Sequence, residues 1–378
     1  MDLICFSHLR WNFVYQRPQH LLSRFAQHGR VVVIEEPLTD AQSPYLEIFS
    51  VIGNVSVVVP HLPAGLHQDE IIRQQKELLC SGWKTLNIGK YIAWFYTPMS
   101  LPLFDAFPIP DLIVYDCMDE LSAFKNPPAG LKENEDRLFQ KADLVFTGGY
   151  SLYEAKKSLH PDVHPFPSSI DKDHFGKARA TTTNPLDDDI PHPRIGFFGV
   201  IDERFDIELL REVASQKPDW NFMMVGPVVK IEPATLPQNV NIHYLGSRSY
   251  EDLPRCLAAW DVALIPFALN ESTRFISPTK TPEYLAGGVP VVSTPIQDVV
   301  HPYGEKGLVY IAQTPAEFIE GIEWGLRVTA DPAWLSKVDE FLEDISWDLT
   351  WEKMMALVKN KIISKQEGKL TEKENIYV

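Results

Sequence analysis

Short apolar runs alternate along this chain with stretches in which hydrophobic and polar positions recur at helical spacing. Such alternation argues for βα units and parallel sheets. The first half offers the strand candidates "DLICFS", "RVVVIEE", "SVVVP", "YIAWFY", "DLIVYD" and "ADLVFTG". The second offers "RIGFFG", "WNFMMVG", "VNIHYLG", "WDVALIPF", "VPVVST" and "GLVYIA". Two similar sets imply two α/β domains, expected at 1–175 and 194–345. Between them, 176–193 is expected to be a linker, because "TTTNPLDDDIPHP", Thr181 to Pro193, is polar and proline-rich. Downstream, "WDLTWEKMMALVKNKII" predicts a helix over 346–363, capped by Asp348 or Thr350, with Met354, Leu357 and Val358 on one face. Residues 364–378 are expected to form a frayed tail.

Composition narrows the function classes. A chain of 378 residues exceeds what one core usually organises, which fits two domains. The net charge of −16 would repel a polyanion over most of the surface, so no nucleic-acid partner is expected. The four cysteines, Cys5, Cys80, Cys117 and Cys256, form no CxxC pair, and a reduced cytosolic compartment fits them. The first strand lacks the basic and long apolar regions of a signal peptide. No window reaches the roughly 18 apolar residues that span a bilayer.

Ligands of open α/β sheets bind outside the carboxyl ends of the strands, so residues just after strands carry the candidate chemistry. In "RFISPTKTPEYLAGGVPVVST", Pro278 and Pro282 suit the first turn of a helix, with Ser277 or Thr279 as its cap. Lys280 and Glu283 then share one face by their i, i+3 spacing. The pair is either a surface ion pair or a site in which Lys280 and helix amides bind phosphate and Glu283 accepts ribose hydroxyls. Gly199 follows its strand directly and either makes a tight turn or lets phosphate approach the backbone. Gly226, with Pro227, ends the next strand on the same wall.

The run "SPTKTPEYLAGGVPVVST" resembles the donor-binding signature of GT-B glycosyltransferases, especially the bacterial group 1 (family 4-like) enzymes of surface-polysaccharide synthesis, the teichuronic-acid type among them. The resemblance continues through "RIGFFGVIDERFD", "NVNIHYLGSRSYEDLPRCLAAWDVALIPF" and "WDLTWEKMMALV". It implies two Rossmann-like, doubly wound domains facing across a cleft, with the C-terminal helix packing back toward the first. Glu283 matches the second glutamate of the family's paired motif; Phe275 stands at the first, with Glu271 nearby. Val200 and Phe205 fall where the family has a diphosphate-gripping arginine and lysine, which leaves the neighbouring Arg204 for that task, with Lys280. Backbone at His243 to Leu245 would face the base, with Tyr244 either a stacking ring or part of the core.

In the first half, "SHLRWNFVYQRPQHLLSRFA" is a loop entering a helix, and Arg10, Arg17, Arg24 and Arg30 make a local basic patch on an acidic protein. His8, Gln16, Arg17 and His20 are candidates for the acceptor side of the cleft. Asp116 and Asp119 end the strand "LIVYD" as an acidic pair that either caps a helix near Leu121 or supplies a catalytic base. The family's comparable segment has a histidine where this chain has Met118. If Asp119 faces the acceptor hydroxyl, it acts as general base of an inverting displacement; if the reaction retains configuration, it orients groups while the leaving phosphate takes the proton.

No metal site is expected: "DDD", Asp187 to Asp189, sits in the linker rather than at a strand end. The expectation is therefore a cytosolic glycosyltransferase without cofactor. By resemblance, its donor would be a UDP-sugar and its acceptor a glycan or lipid-linked saccharide, reached at the inner face of the membrane. A non-hydrolysing UDP-sugar 2-epimerase or a non-catalytic nucleotide-sugar-binding protein would share the fold and pocket.

Overall fold

The computed structural model describes residues 1–181 and 189–376. Its first sheet contains β1 (Asp2–Ser7), β2 (Val31–Glu35), β3 (Tyr45–Ser50), β4 (Val55–His61), β5 (Tyr91–Phe95), β6 (Leu112–Cys117), β7 (Leu144–Thr147) and β8 (Val163–Pro165). Their order is β3-β4-β2-β1-β5-β6-β7-β8, parallel except for the antiparallel β3–β4 pair. The second sheet contains β9 (Arg194–Phe198), β10 (Asn221–Val225), β11 (Ile242–Gly246), β12 (Val262–Ile265), β13 (Val291–Ser293) and β14 (Val309–Ile311). Its order, β11-β10-β9-β12-β13-β14, is that of a doubly wound dinucleotide fold. All twelve apolar runs read from the sequence are strands. Residues such as Val57, Phe95, Val114, Phe222 and Val292 are buried on both sheet faces, as parallel strands under helices require.

Two strands escape the sequence pattern. β3 is an exposed edge strand in which only Leu46 and Phe49 are half-buried, and β8 has three residues, none fully buried.

The domain boundary differs from the expected 176–193. The helix Lys172–Ala180 buries Phe175 and Ala178 in the second core, which also takes in Ile170. The chain therefore crosses between domains near Ser168 to Ile170, and the proline-rich stretch is a connection inside the second domain. Of that stretch, residues 182–188, including most of "DDD", lie outside the described residues.

The last helix, Trp347–Ile376, returns to the first domain, burying Trp347, Met354 and Val358 in its core. Neither expected residue caps it: Ser346 Oγ accepts from Leu349 N–H at 3.1 Å, while Asp348 pairs with Arg24 at 2.7 Å. The helix also continues through the expected tail as far as Ile376. No described helix is long and apolar enough to cross a membrane.

Candidate active site

The loops after β1, β6, β7 and β8 face those after β9, β10, β11 and β12 across a cleft of about 550 Å³, a volume suited to a small-molecule ligand. The helix Lys280–Ala286 starts at its floor. Thr279 stands at the cap position without a side-chain cap bond, so its hydroxyl remains available to the cleft. Ser277 is not the cap either. Its Oγ accepts from Ser168 N–H at 3.3 Å and its carbonyl accepts from Ser168 Oγ at 2.5 Å, tying the two domains together.

Lys280 and Glu283 both line the cleft, and neither side chain hydrogen-bonds or ion-pairs with a described residue. The surface ion pair is thereby excluded: Glu283 is only 7% exposed. Burial, reinforced by Arg204, pushes the Lys280 ammonium below its ordinary range, and burial pushes the Glu283 carboxyl up against the pull of Lys280. The Lys280 stem lies across Gly199, where a Cβ would stand 2.2 Å from Cε and 2.6 Å from Nζ. Gly199 has φ +136, a conformation favouring glycine, and a Cβ on Gly226 would meet the Gly199 carbonyl at 1.9 Å. These two glycines close the strand ends tightly and leave the ammonium above them, near the rings of Phe197 and Phe267.

Arg204 also lines the cleft, but its charge is engaged. Nε and Nη2 donate to Asp202, a residue 3% exposed, at 2.7–3.1 Å, and the guanidinium lies over Phe124 of the first domain. Tyr244 is not in the cleft. It is exposed on β11 and donates its hydroxyl to the Pro237 carbonyl. The ring on that wall is Tyr250, stacked between Tyr15 at 4.4 Å and His174 at 4.2 Å. Phe275 packs against the first domain's core, and Glu271 is exposed beside Arg274, so neither puts a carboxylate in the cleft.

On the opposite wall Asp119 lines the cleft, and its carboxylate makes no hydrogen bond to a described residue. Burial pushes it up to about 6, with Arg204 and Arg17 opposing the shift. Asp116 is a different kind of group. It is fully buried and accepts three bonds from Arg17 at 2.8–3.2 Å, while Arg17 Nη1 donates to the Phe166 carbonyl. That buried pair anchors the first helix, Arg17–Phe25, to the end of β6; Arg17 lines the cleft with its charge held by Asp116, which lies outside the lining. Neither aspartate caps a helix, since the short turn after them begins at Glu120 without a side-chain cap.

Gln16 reaches the cleft as the cap of that first helix, in a capping box with Gln19. His20 is 3% exposed and stacks on Trp347 at 4.6 Å, so it is core; burial holds its imidazole well below the usual range. His8 lies outside the cleft lining with Nδ1 buried and unpartnered, and burial lowers it to about 4. The expected basic patch is neutralised: Arg10, Arg17, Arg24 and Arg30 pair with Glu35, Asp116, Asp348 and Asp2.

Three residues at the domain junction had no sequence reading. Ser168 follows the unnoticed β8. Tyr250 stands four residues past the end of β11, where reading beyond the strand end would have found it. Asp298 accepts from Tyr150 N–H and Ser151 N–H, both at 2.9 Å, across the domain junction. Gly149 makes room for it, since a Cβ there would stand 2.1 Å from Asp298 Oδ2. No group of three or more His, Cys, Asp or Glu among the described residues is arranged to hold a metal ion.

Two doubly wound sheets meeting at a cleft, with a lysine and a glutamate on the wall of the second that pair with no described residue, make up the GT-B fold. Residues 192–327 match the family described as "Glycosyl transferases group 1". It is 24% identical over 289 residues to "Putative teichuronic acid biosynthesis glycosyltransferase TuaH" of Bacillus subtilis (strain 168), covering 71% of this chain and 72% of that one. Among solved structures, sucrose-phosphate synthase from Thermosynechococcus elongatus superposes with a TM-score of 0.72 at 16% identity, over 96% of this chain and 99% of that one. The Escherichia coli structure described as "Trehalose-6-phosphate from E. coli bound with UDP-2-fluoro glucose" gives 0.66 at 12% identity, over 95% and 99%.

Proposed function

We propose that the protein transfers a sugar from a UDP-sugar to a glycan or lipid-linked saccharide in surface-polysaccharide synthesis, working in the cytoplasm at the inner face of the membrane. The observation that carries the donor half is the unpartnered Lys280–Glu283 pair on one turn of a helix that opens into the cleft. Glu283 accepts the ribose hydroxyls, and Lys280, held over Gly199, meets the diphosphate. Thr279, Ser277 and Gly226 line the same subsite. Arg204 joins Lys280 in offsetting the charge of the leaving diphosphate by turning from Asp202, so that the step needs no metal ion or cofactor. Asp119, poised near neutrality on the facing wall, takes the proton of the acceptor hydroxyl. Gln16 borders the acceptor beside it. The TuaH similarity supports the polysaccharide setting, and the sugar-nucleotide complex in a fold relative supports the donor class.

A thermal-shift series across nucleotides and sugar nucleotides tests the donor. Ligand at 100 times its dissociation constant stabilises by about 2.7 kcal/mol, so UDP and UDP-sugars should raise the melting temperature clearly above the effect of adenosine and guanosine counterparts. Equal or absent shifts would refute the uridine assignment. Interconversion of a UDP-sugar without any acceptor would replace transfer by epimerisation.

A further inference from the structure

Next to Asp119 along the chain, and outside the cleft lining, lies a cluster of buried ionisable groups that the transfer does not touch. Lys156, the last residue of the helix Tyr150–Lys156, places Nζ 2.7 Å from Glu120 Oε2 and 3.0 Å from Glu135 Oε2. The three side chains are only 8%, 14% and 10% exposed. Glu135, on the helix Leu131–Lys141, also accepts from the Tyr115 hydroxyl at 2.8 Å. One ammonium thus holds two carboxylates, one from a core helix and one from the loop after β6.

That loop carries Asp119. Because the Asp119 carboxylate hydrogen-bonds no described residue, its position is inherited from the backbone on either side. On the strand side the backbone is fixed by Gly148 N–H donating to the Cys117 carbonyl at 2.9 Å, with Met118 packed so closely that a Cβ on Gly148 would stand 2.2 Å from its carbonyl oxygen. The Cys117 thiol lies 3.6 Å from the Asp119 carbonyl. On the far side Glu120 ties the loop to the core through Lys156, while Ser122 Oγ donates to the other Glu120 carboxylate oxygen at 2.5 Å and Ala123 N–H donates to the Glu120 carbonyl at 2.9 Å within the loop itself. We propose that Lys156 and Glu120 are positioning residues for Asp119, fixing the loop so that its carboxylate meets the acceptor. This rests on the acceptor-side reading of Asp119. Reacting groups misplaced by about 1 Å lose on the order of 10²-fold in rate, so the anchor acts on turnover and leaves the donor pocket alone.

The informative variant is Glu120→Ala in the full chain, because it cuts the anchor while leaving Lys156 and Glu135 as a balanced pair. Its kcat should fall about 10- to 100-fold with UDP affinity and melting temperature nearly unchanged. Glu120→Gln, which can still accept from Lys156, should restore most of the rate. Combined with Asp119→Asn, Glu120→Ala should cost nothing further, since the group it positions is gone. Lys156→Met should repeat the pattern if it folds. If Asp119→Asn is damaging and Glu120→Ala costs the same factor in both backgrounds, the positioning role is wrong while the role of Asp119 stands. If Glu120→Gln is as slow as Glu120→Ala, charge rather than anchoring is at work and the proposal falls. A fully active Asp119→Asn enzyme would overturn both readings.

Discussion

Replacing Gly199 by alanine tests the donor pocket without removing any charged group. The added methyl would stand 2.2 Å from Lys280 Cε and 2.6 Å from Nζ, well inside contact distance, and the backbone cannot yield because Gly226 closes on the Gly199 carbonyl from behind. Lys280 must therefore leave its place. A charge-assisted hydrogen bond contributes about 1.5–3 kcal/mol, and 1.4 kcal/mol is tenfold in affinity, so Gly199→Ala should weaken UDP about 10- to 150-fold. Alanine at φ +136 adds about 1–3 kcal/mol of backbone strain, visible as a lower melting temperature. Calorimetric titration with UDP and with uridine separates the two effects, because strain in the fold weakens both ligands whereas a displaced Lys280 penalises only the phosphates. Lys280→Ala should show the same selective loss. Equal losses for UDP and uridine, or a Gly199→Ala protein that binds UDP like the wild type, would refute the placement of Lys280 at the diphosphate.

Glu283→Ala should weaken UDP by about tenfold or more, given the 1.5–3 kcal/mol of a charged hydrogen bond, and Glu283→Gln should keep part of the affinity; unchanged binding in the folded alanine variant would sink the ribose assignment. As a base, Asp119 must be unprotonated, so kcat/KM should rise with pH through about 6 and level off above it. Asp119→Asn should remove that limb and lower turnover about 10²–10⁴-fold with donor affinity intact, and an α-linked product from an α-linked donor, read by anomeric NMR coupling, would contradict inversion and a base role. Asp116→Ala should act on stability instead, losing about 3–5 kcal/mol because Arg17 is left buried and unpaired; a variant that melts like the wild type would show that the pair is not an anchor.

Local spacing made the donor wall legible. Lys280 and Glu283 share a face because a helix has a fixed period, and Gly199 and Gly226 were recognisable because strands end there. The opposite wall was harder to read, because its chemistry depends on partners far away in sequence. Asp116 and Asp119 look alike as letters, yet Asp116 meets Arg17 from 99 residues earlier, whereas the Asp119 carboxylate hydrogen-bonds no described residue and feels Arg204 and Arg17 only through space. The four arginines of the first segment resembled a basic patch for the same reason, since their acids stand 25 to 324 residues away or precede them. Tyr244 escaped because β11 is the edge strand of its sheet, where even the face that buries Ile242 leaves the next ring in solvent. The domain boundary was misplaced because a polar, proline-rich stretch marks exposure, whereas a boundary is set by which core a helix such as Lys172–Ala180 enters.

The chain crosses between the two bodies twice, and the crossings lie side by side. Trp347 N–H donates to the Ile170 carbonyl at 3.1 Å, and Lys172 Nζ donates to the Glu343 carbonyl at 2.9 Å. A body attached at a single point can swivel in every direction; attached along a short line, it keeps one soft rotation, about that line. Sideways slip and twist would have to tear the paired crossing or the plates of Tyr15, Tyr250 and His174 stacked across the junction. Opening the cleft also breaks the hydrogen bonds from Ser168 to Ser277 and from Tyr150 and Ser151 to Asp298, and parts Tyr15 from Tyr250, since both rings line it. The freedom left to the molecule is thus that of a book on its spine: the two walls part to admit ligands and return to the same register, with Asp119 facing Lys280 each time.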